Sequence, residues 1–543
     1  MPQILSSSSF NSASLSAPDT YIVNSPPPPL PSGVQTNVGA VIGTGSWGPL
    51  NVPVLVSSQA QGSQAFGLLS SASVKGGPSG GADPHDLCWA LTNAFNQSQG
   101  ANAPIGIWGV RVSDATDVAA SIILDDITSP TPVSGGTLTA LYTGTMGNSI
   151  KVAIAAGGAA NTATVTLMGF ANGYTEIFPN LPTATGAFWA ALSAALVNGI
   201  SGVRGPSQLA RFTIATSTAA PALGVFTLTG GLDGRSAVTT AELTGSDISF
   251  PYTGAYALQG LTPAPSEFWI AGLTDNTAYA GMQAFADSIG AQFSFAFPTG
   301  TTSSTAVTDL QGYGVADYEV NAFKDWLYIF DPVNNVVRLT DPIAVGVGRL
   351  LTLSPEESPL NKPVYGVIGT ERFNPSTGVN QPYSDIEVGQ LNSAGIMFIT
   401  NPCPGGAYFG FRTGVNTAMQ TNQTEGPVEF ARMTNFESYT IAKMSGPFVG
   451  QLQSQNSGDK FRAAVRTTFN SEFQQQMEQG MIDGYNVQCD LGNNSAASIA
   501  AHICYVYVTL TYLSSVWYFV AQLTGGTTVV TSGSTLTSAL QGA

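Results

Sequence analysis

Gly43, Gly45 and Gly48 lie in "VGAVIGTGSWGPLNVP" (38–53) and spell G-x-G-x-x-G directly after an apolar, strand-like run. At that spacing glycines can cradle a dinucleotide pyrophosphate, provided two conditions hold. A helix must follow with its N–H groups aimed at the phosphate, and an acid about 20 positions on must hold the ribose. Neither holds here. Pro49 and Pro53 bracket Leu50-Asn51-Val52, which cannot run as a helix. After Asp19 the next carboxylate is Asp83. The segment reads as a strand, a glycine-rich turn and a second strand, "VPVLVSS".

Asp83, His85, Asp86 and Cys88 form the one cluster with metal-ligand residue types. A helix start accounts for them more simply: Asp83 as N-cap, Pro84 at the first helical position and Asp86 in the first turn. His85 and His502 are the only histidines, far apart in sequence. No G-x-S-x-G, H-E-x-x-H, Walker or EF-hand pattern occurs. Glu356 and Glu357 sit in "LSPEESPLNKP", where solvated turn charges explain them. Nothing points to catalysis or to a cofactor. Cys88, Cys403, Cys489 and Cys504 show no paired spacing and read as free thiols in a reducing cytoplasm.

The elements that position these residues belong to a chain of 543 residues, long enough for roughly three or four cores. Only 9% of its residues are charged, against about 25% in typical soluble domains. Residues 1–74 carry a single charge, Asp19, and residues 491–543 carry none. Ends stripped of charge suit a chain that hides surface in an assembly. The net charge of −16 argues against a nucleic-acid partner. Residues 498–523 are long enough to span a bilayer, yet Val506, Val508 and Leu510 alternate with Tyr505, Tyr507, Thr509 and Thr511. That period predicts two strands broken near Ser514-Ser515 and no membrane insertion. The N-terminus has neither the basic nor the apolar region of a signal peptide.

Along the chain, residues 1–33 read as an arm, with the β-prone piece "TYIVN" ahead of a Pro26–Pro31 spacer. Tyr21, Ile22 and Val23 are the candidates for pairing with another chain's sheet edge. Residues 34–130 and 240–425 alternate strands with helices and predict a central α/β domain. Residues 131–239 carry short strands rich in Gly, Thr and Ala and predict an inserted β-rich domain. Residues 426–525 predict an α/β C-terminal domain, followed by an extension over 526–543. Within it, "GDKFRAAVRTTFNSEFQQQMEQGMI" predicts a long helix whose buried stripe is Phe461, Val465, Phe469, Phe473 and Met477. Lys460, Arg462 and Arg466 cluster at the end where a helix prefers acids, so a solvated face or an acidic partner must account for them.

Several ordered motifs resemble contractile-tail sheath proteins of bacteriophages and related injection machines. "PDTYIVN" followed by "VGAVIGTGSWGPLNVPVLVSSQAQGSQAFG" is similar to that family's opening, so the glycines fall in a structural turn. "YTGTMGNSIKV" (142–152) and "LTGGLDGRS" (228–236) are similar to the start and end of its inserted domain. "LNSAGIMFITNPCPGGAYFGFRT" (391–413) and "GMIDGYNVQCD" resemble its later motifs. The likeness spans residues 18 to about 525; the proline run after the arm departs from it.

The resemblance implies an α+β multidomain fold whose central domain is subtilisin-like but non-catalytic, with extended terminal arms. It implies a non-enzymatic structural subunit of a virion tail, a late protein assembled in the host cytoplasm. Such subunits polymerise helically around a tail tube and contract to drive the tube through the host envelope for genome ejection. The partners implied are further copies of the chain, the tail tube protein, and baseplate and tail-terminator proteins. Strand exchange would use Tyr21, Ile22 and Val23 with Val506, Val508, Leu510, Phe519 and Val520. The C-terminal domain would lie nearest the tube, with Lys460, Arg462 and Arg466 facing it. A sheath of a bacteriocin-like or secretion machine is the alternative, and a β-rich surface adhesin a more distant one.

Overall fold

The computed structural model describes residues 3–6, 21–24, 37–69, 84–98, 104–169, 173–184, 186–456, 459–521 and 523. Asp83, the Pro26–Pro31 run and the 526–543 extension lie outside them.

The largest element is an eight-stranded sheet. Its order across is Gly410–Phe411, Ile396–Thr400, Val320–Lys324, Gln292–Ala296, Glu267–Ile270, Val38–Thr44, Gly106–Val112, Val54–Val56. The six inner strands pair in parallel and the two short outer ones antiparallel. Inner parallel strands are covered on both faces, so every residue of Gln292–Ala296 is buried, the polar Gln292 and Ser294 included. Successive residues then serve different layers. Phe293 and Phe295 pack with the helices Tyr279–Ile289, Ser303–Tyr313 and Asp385–Ser393, while Trp269, Ala296 and Phe323 pack with Gln59–Phe66, Leu87–Phe95 and Ile343–Leu350.

Two antiparallel sheets follow the Gly106–Val112 strand in sequence. One runs Tyr174–Pro182, Thr162–Gly169, Lys151–Ala156, Gly224–Thr227; the other runs Ala210–Ile214, Ser134–Ala140, Ser121–Asp125. Strand Ser121–Asp125 pairs with Ser134–Ala140, so the composition shift at 131 falls inside one sheet. Both share a core with the Ala187–Asn198 helix, built on Val152, Val165, Phe178, Trp189 and Leu192. A smaller three-stranded antiparallel sheet joins Val336–Thr340, Leu327–Asp331 and Val367–Thr370.

After residue 427 the helices Val428–Ser445 and Lys460–Gln479 pack beside a two-stranded antiparallel sheet, Ile482–Gln488 with Tyr507–Tyr512. The expected helix stripe needs correction at its ends: Val465, Phe469 and Phe473 are buried, but Phe461 is half-buried and Met477 is 37% exposed. A spacing of four drifts against 3.6 residues per turn, so a strict run of fours leaves the buried face. Arg462, Glu472 and Gln476 are buried on that face. A second correction concerns the Leu87–Phe95 helix, whose N-cap is Asp86, accepting from the Trp89 N–H at 2.7 Å.

Candidate functional site

The chain enters the large sheet at Val38–Thr44, adds Gly106–Val112 on one side, then builds every later inner strand on the other. Val38–Thr44 and Glu267–Ile270 therefore flank the topological switch point, whose carboxyl end is the usual ligand crevice of such sheets. The glycine motif leaves from that end. Here the crevice is filled by the chain's own backbone. Thr44 N–H donates to the His85 carbonyl at 2.8 Å, and the His85 ring bonds the Ala271 carbonyl through Nδ1 at 2.6 Å. A Cβ on Gly43 would stand 2.4 Å from the His85 oxygen. The dinucleotide reading fails on geometry as well as on sequence. Among the described residues no three His, Cys, Asp or Glu side chains gather to hold a metal; the Cys88 thiol is buried and pushed up to about 12 by burial, then by Asp86.

What the turn does instead is join two sheet systems. Gly48 takes φ +98°, where an L side chain would be strained, and a Cβ there would meet the Ala65 oxygen at 2.3 Å. Trp47 points into the core of the two antiparallel sheets, edge-on to Tyr142 at 5.3 Å. Arg111, fully buried on Gly106–Val112, ties the parts together. Its Nη1 donates to the carbonyls of Gly48 (2.7 Å) and Thr143 (2.8 Å), and its Nη2 to that of Asp233 (3.2 Å). The residues around 43–48, 142–148 and 228–235 were noticed as separate motifs; they meet at this one guanidinium. Asn148 adds a reciprocal pair with the Gly231 backbone at 3.0 and 2.8 Å. Sequence reading missed Arg111. Its one signal was a basic residue inside an otherwise apolar strand, "GIWGVRV".

The expected strand residues separate into two groups. Tyr21, Ile22 and Val23 lie in a strand, Tyr21–Asn24, paired in parallel with Gln3–Ser6 of the same chain. Val508 and Leu510 lie in Tyr507–Tyr512, and with Val506, just before it, they pack half-buried against the two long helices. Phe519 and Val520 do not form the second strand. Residues 513–521 adopt no regular structure, and Val516, Tyr518, Phe519 and Val520 are 74–90% exposed. A β-prone segment cannot pair without an edge to join, and among the described residues none pairs with it. The sheet it would extend has only two strands, with one face covered by the two long helices.

The basic trio needs the clearest correction. Arg462 is 2% exposed and donates to the carbonyls of Ser454 at 2.6 Å and Asn456, with Asp459 at 3.2 Å. It clamps the loop ahead of its own helix and has no surface to offer a partner. Arg466 is half-buried and donates to the Cys489 carbonyl at 2.7 Å; Lys460 alone is exposed. Arg462→Ala is therefore expected to cost about 2–4 kcal/mol by orphaning buried carbonyls. Lys460→Glu should stay within about 0.5 kcal/mol of wild type. Urea titrations of both variants check this.

A third feature lies at the opposite, amino end of the parallel strands, where the Val428–Ser445 helix crosses. Arg432, buried, donates to the carbonyls of Leu350 (2.9 Å), Leu353 (2.8 Å) and Ser354 (3.1 Å), with its Nε 3.7 Å from Glu267. Asn435 donates to Glu319 at 2.8 Å. Burial pushes Glu267 and Glu319 up to about 8, and Glu437 up to about 7.

No protein-family pattern and no curated protein matches the chain by sequence. Solved structures do match. A sheath tail protein from Listeria innocua superposes with a TM-score of 0.58 at 11% identity, covering 89% of this chain and 96% of its own. A sheath tail protein from Desulfitobacterium hafniense gives 0.53 at 12%, covering 91% and 100%. Both alignments run through nearly the whole of each chain, so the likeness takes in the mixed α+β, multi-sheet arrangement and not one shared sheet. This chain has the fold of a sheath tail protein.

Proposed function

We propose that the chain is a non-enzymatic sheath subunit that polymerises helically and contracts around a tail tube. The observation that carries this reading is the terminal segment 513–523. It is β-prone and free of charge, and it leaves Val516, Tyr518, Phe519 and Val520 exposed beside a sheet of only two strands, where a neighbouring copy could pair with it. Tyr21–Asn24 is the natural complement from the other end. In this reading 34–130 with 240–425 form a subtilisin-like, non-catalytic domain, 131–239 an inserted domain whose sheet also takes in Ser121–Asp125, and 426–525 the C-terminal domain. Contraction would draw on an assembled state held kinetically, without nucleotide hydrolysis. Tube, baseplate and terminator proteins are the further partners, and the tail of a virion the location. Among the described residues no helix is long and apolar enough to cross a membrane. A sheath of a bacteriocin-like or secretion machine uses the same fold and the same chemistry.

Electron microscopy of the purified chain over a concentration series, with and without its tube protein, tests the proposal. Hollow tubes with a regular helical repeat are expected. Phe519→Asp with Val520→Asp should abolish them while leaving the monomer's melting temperature unchanged, because both side chains are exposed in the single chain. Monomers under every condition, tube protein included, would overturn it.

A further inference from the structure

Cys489 and Cys504 lie fifteen positions apart, at the two legs of the loop that joins Ile482–Gln488 to Tyr507–Tyr512. Their sulfurs are 3.8 Å apart. The loop between them is held by its own polar network. Asn494 donates to the Tyr505 carbonyl at 2.9 Å and accepts from the Tyr505 N–H at 2.7 Å. Asn493 bridges the carbonyls of Gln488 (2.9 Å) and Tyr505 (3.0 Å). Arg466 anchors the Cys489 carbonyl from the neighbouring helix. The two legs are thus fixed in register before any bond joins them. Forming a disulfide of about 2.05 Å requires the sulfurs to close by roughly 1.8 Å, within reach of side-chain rotation. Exposure differs between the two: Cys489 is fully buried, whereas Cys504 is partly open to solvent.

We propose that Cys489 and Cys504 are an oxidisable dithiol that closes to an intramolecular disulfide by exchange with a small-molecule disulfide such as oxidised glutathione. The order of steps follows from exposure. The Cys504 thiolate, having released its proton to water, attacks one glutathione sulfur; the mixed disulfide forms and one glutathione thiolate leaves. Cys489 then loses its proton and attacks the Cys504 sulfur, expelling the second glutathione. Two protein thiols are oxidised and one glutathione disulfide is reduced to two thiols. Burial, and then the Cys504 thiol, push Cys489 up to about 12, with Arg466 and Arg462 opposing. Cys489 is therefore a poor first nucleophile but stands near attack distance for the second step, where proximity replaces acidity. The bond would pin the base of the hairpin whose outer strand is Tyr507–Tyr512. Cys88 and Cys403, both buried, have no such partner among the described residues.

The full chain, reduced and then equilibrated with oxidised glutathione, is quenched with an alkylating reagent and mapped by mass spectrometry. The expected product has lost two hydrogen atoms, retains no glutathione and yields one linked peptide pair holding Cys489 and Cys504. Its melting midpoint rises by roughly 4–8 °C for the C-terminal segment, reversed by dithiothreitol. Cys489→Ser should stop the reaction at a stable glutathione adduct on Cys504. The mapping on the wild-type chain requires no variant and so is immune to folding defects. A persistent Cys504–glutathione adduct in wild type, or no reaction at either thiol, would overturn the proposal.

Discussion

Replacing Arg111 with methionine lowers the stability of the folded chain by about 3–5 kcal/mol, the cost of removing a buried charged partner from the carbonyls it satisfies. Three backbone oxygens from three separate segments, Gly48, Thr143 and Asp233, lose their donor at once. Each is distant from Arg111 in sequence, so no local hydrogen bond can replace it. Burial draws the guanidinium down to about 10, with Asp117 and then Asp233 opposing, and it stays charged at neutral pH. Methionine fills most of the volume, so the loss isolates the polar contacts. Arg111→Lys keeps the charge but cannot fork, and an intermediate loss of about 1–3 kcal/mol is expected. Guanidinium titrations of the three proteins measure both. If Arg111→Met lies within 1 kcal/mol of wild type, the turn is held by Trp47 packing and not by Arg111.

That junction also shows what a sequence discloses. The Gly43–Gly48 segment was legible as a turn because its prolines forbid the helix a nucleotide would need, a constraint confined to neighbouring residues. What the turn touches was not legible, since Arg111 and Asp233 reach it only through the closing of the sheet. The same division recurs at the helix starts. A proline at 84 suggested an N-terminus at Asp83, yet Asp86 caps the helix because Pro84–Asp86 is held as a plug over the switch point. Lys460, Arg462 and Arg466 looked equivalent by type and spacing. The loop over 451–459 folds back and presents two carbonyls to Arg462 alone. Period-two alternation placed Val508 and Leu510 inward correctly, since the helices beside them cover one face. For Phe519 and Val520 the propensity is present but the edge is not, so the strand stays unformed in a single chain. Sequence records a preference for pairing; it does not record where the partner is.

The buried carboxylates give the second large effect, a stability that falls as pH rises. Glu267 and Glu319 are each 1% exposed at the amino ends of two strands that flank Gln292–Ala296, and burial raises both from an ordinary 4.5 to about 8. Arg432 stands 3.7 Å from Glu267, but neither carboxyl oxygen accepts a hydrogen bond among the described residues, so burial outweighs the attraction. An acid whose folded pKa is raised binds its proton more tightly folded than unfolded. Its contribution is complete below the ordinary value and is lost as pH climbs through the folded one. Glu437, raised to about 7, acts in the same direction. Asp126 and Glu387 act oppositely: hydrogen bonds from Ser217 and Arg372 hold each at about 2, and their contribution is lost only in strong acid. Stability should therefore peak near the ordinary carboxylate value of 4.5 and fall from there toward pH 8.5, by about 1.4 kcal/mol per pH unit for each acid that keeps its proton only in the folded chain. Urea midpoints across that range measure the slope. The double variant Glu267→Gln, Glu319→Gln removes the two protons concerned and should flatten the curve above pH 6, leaving it more stable than wild type at pH 8.5. An equally steep decline in that variant would place the titration elsewhere, with Glu437 and its neighbour Glu472 the groups to replace next.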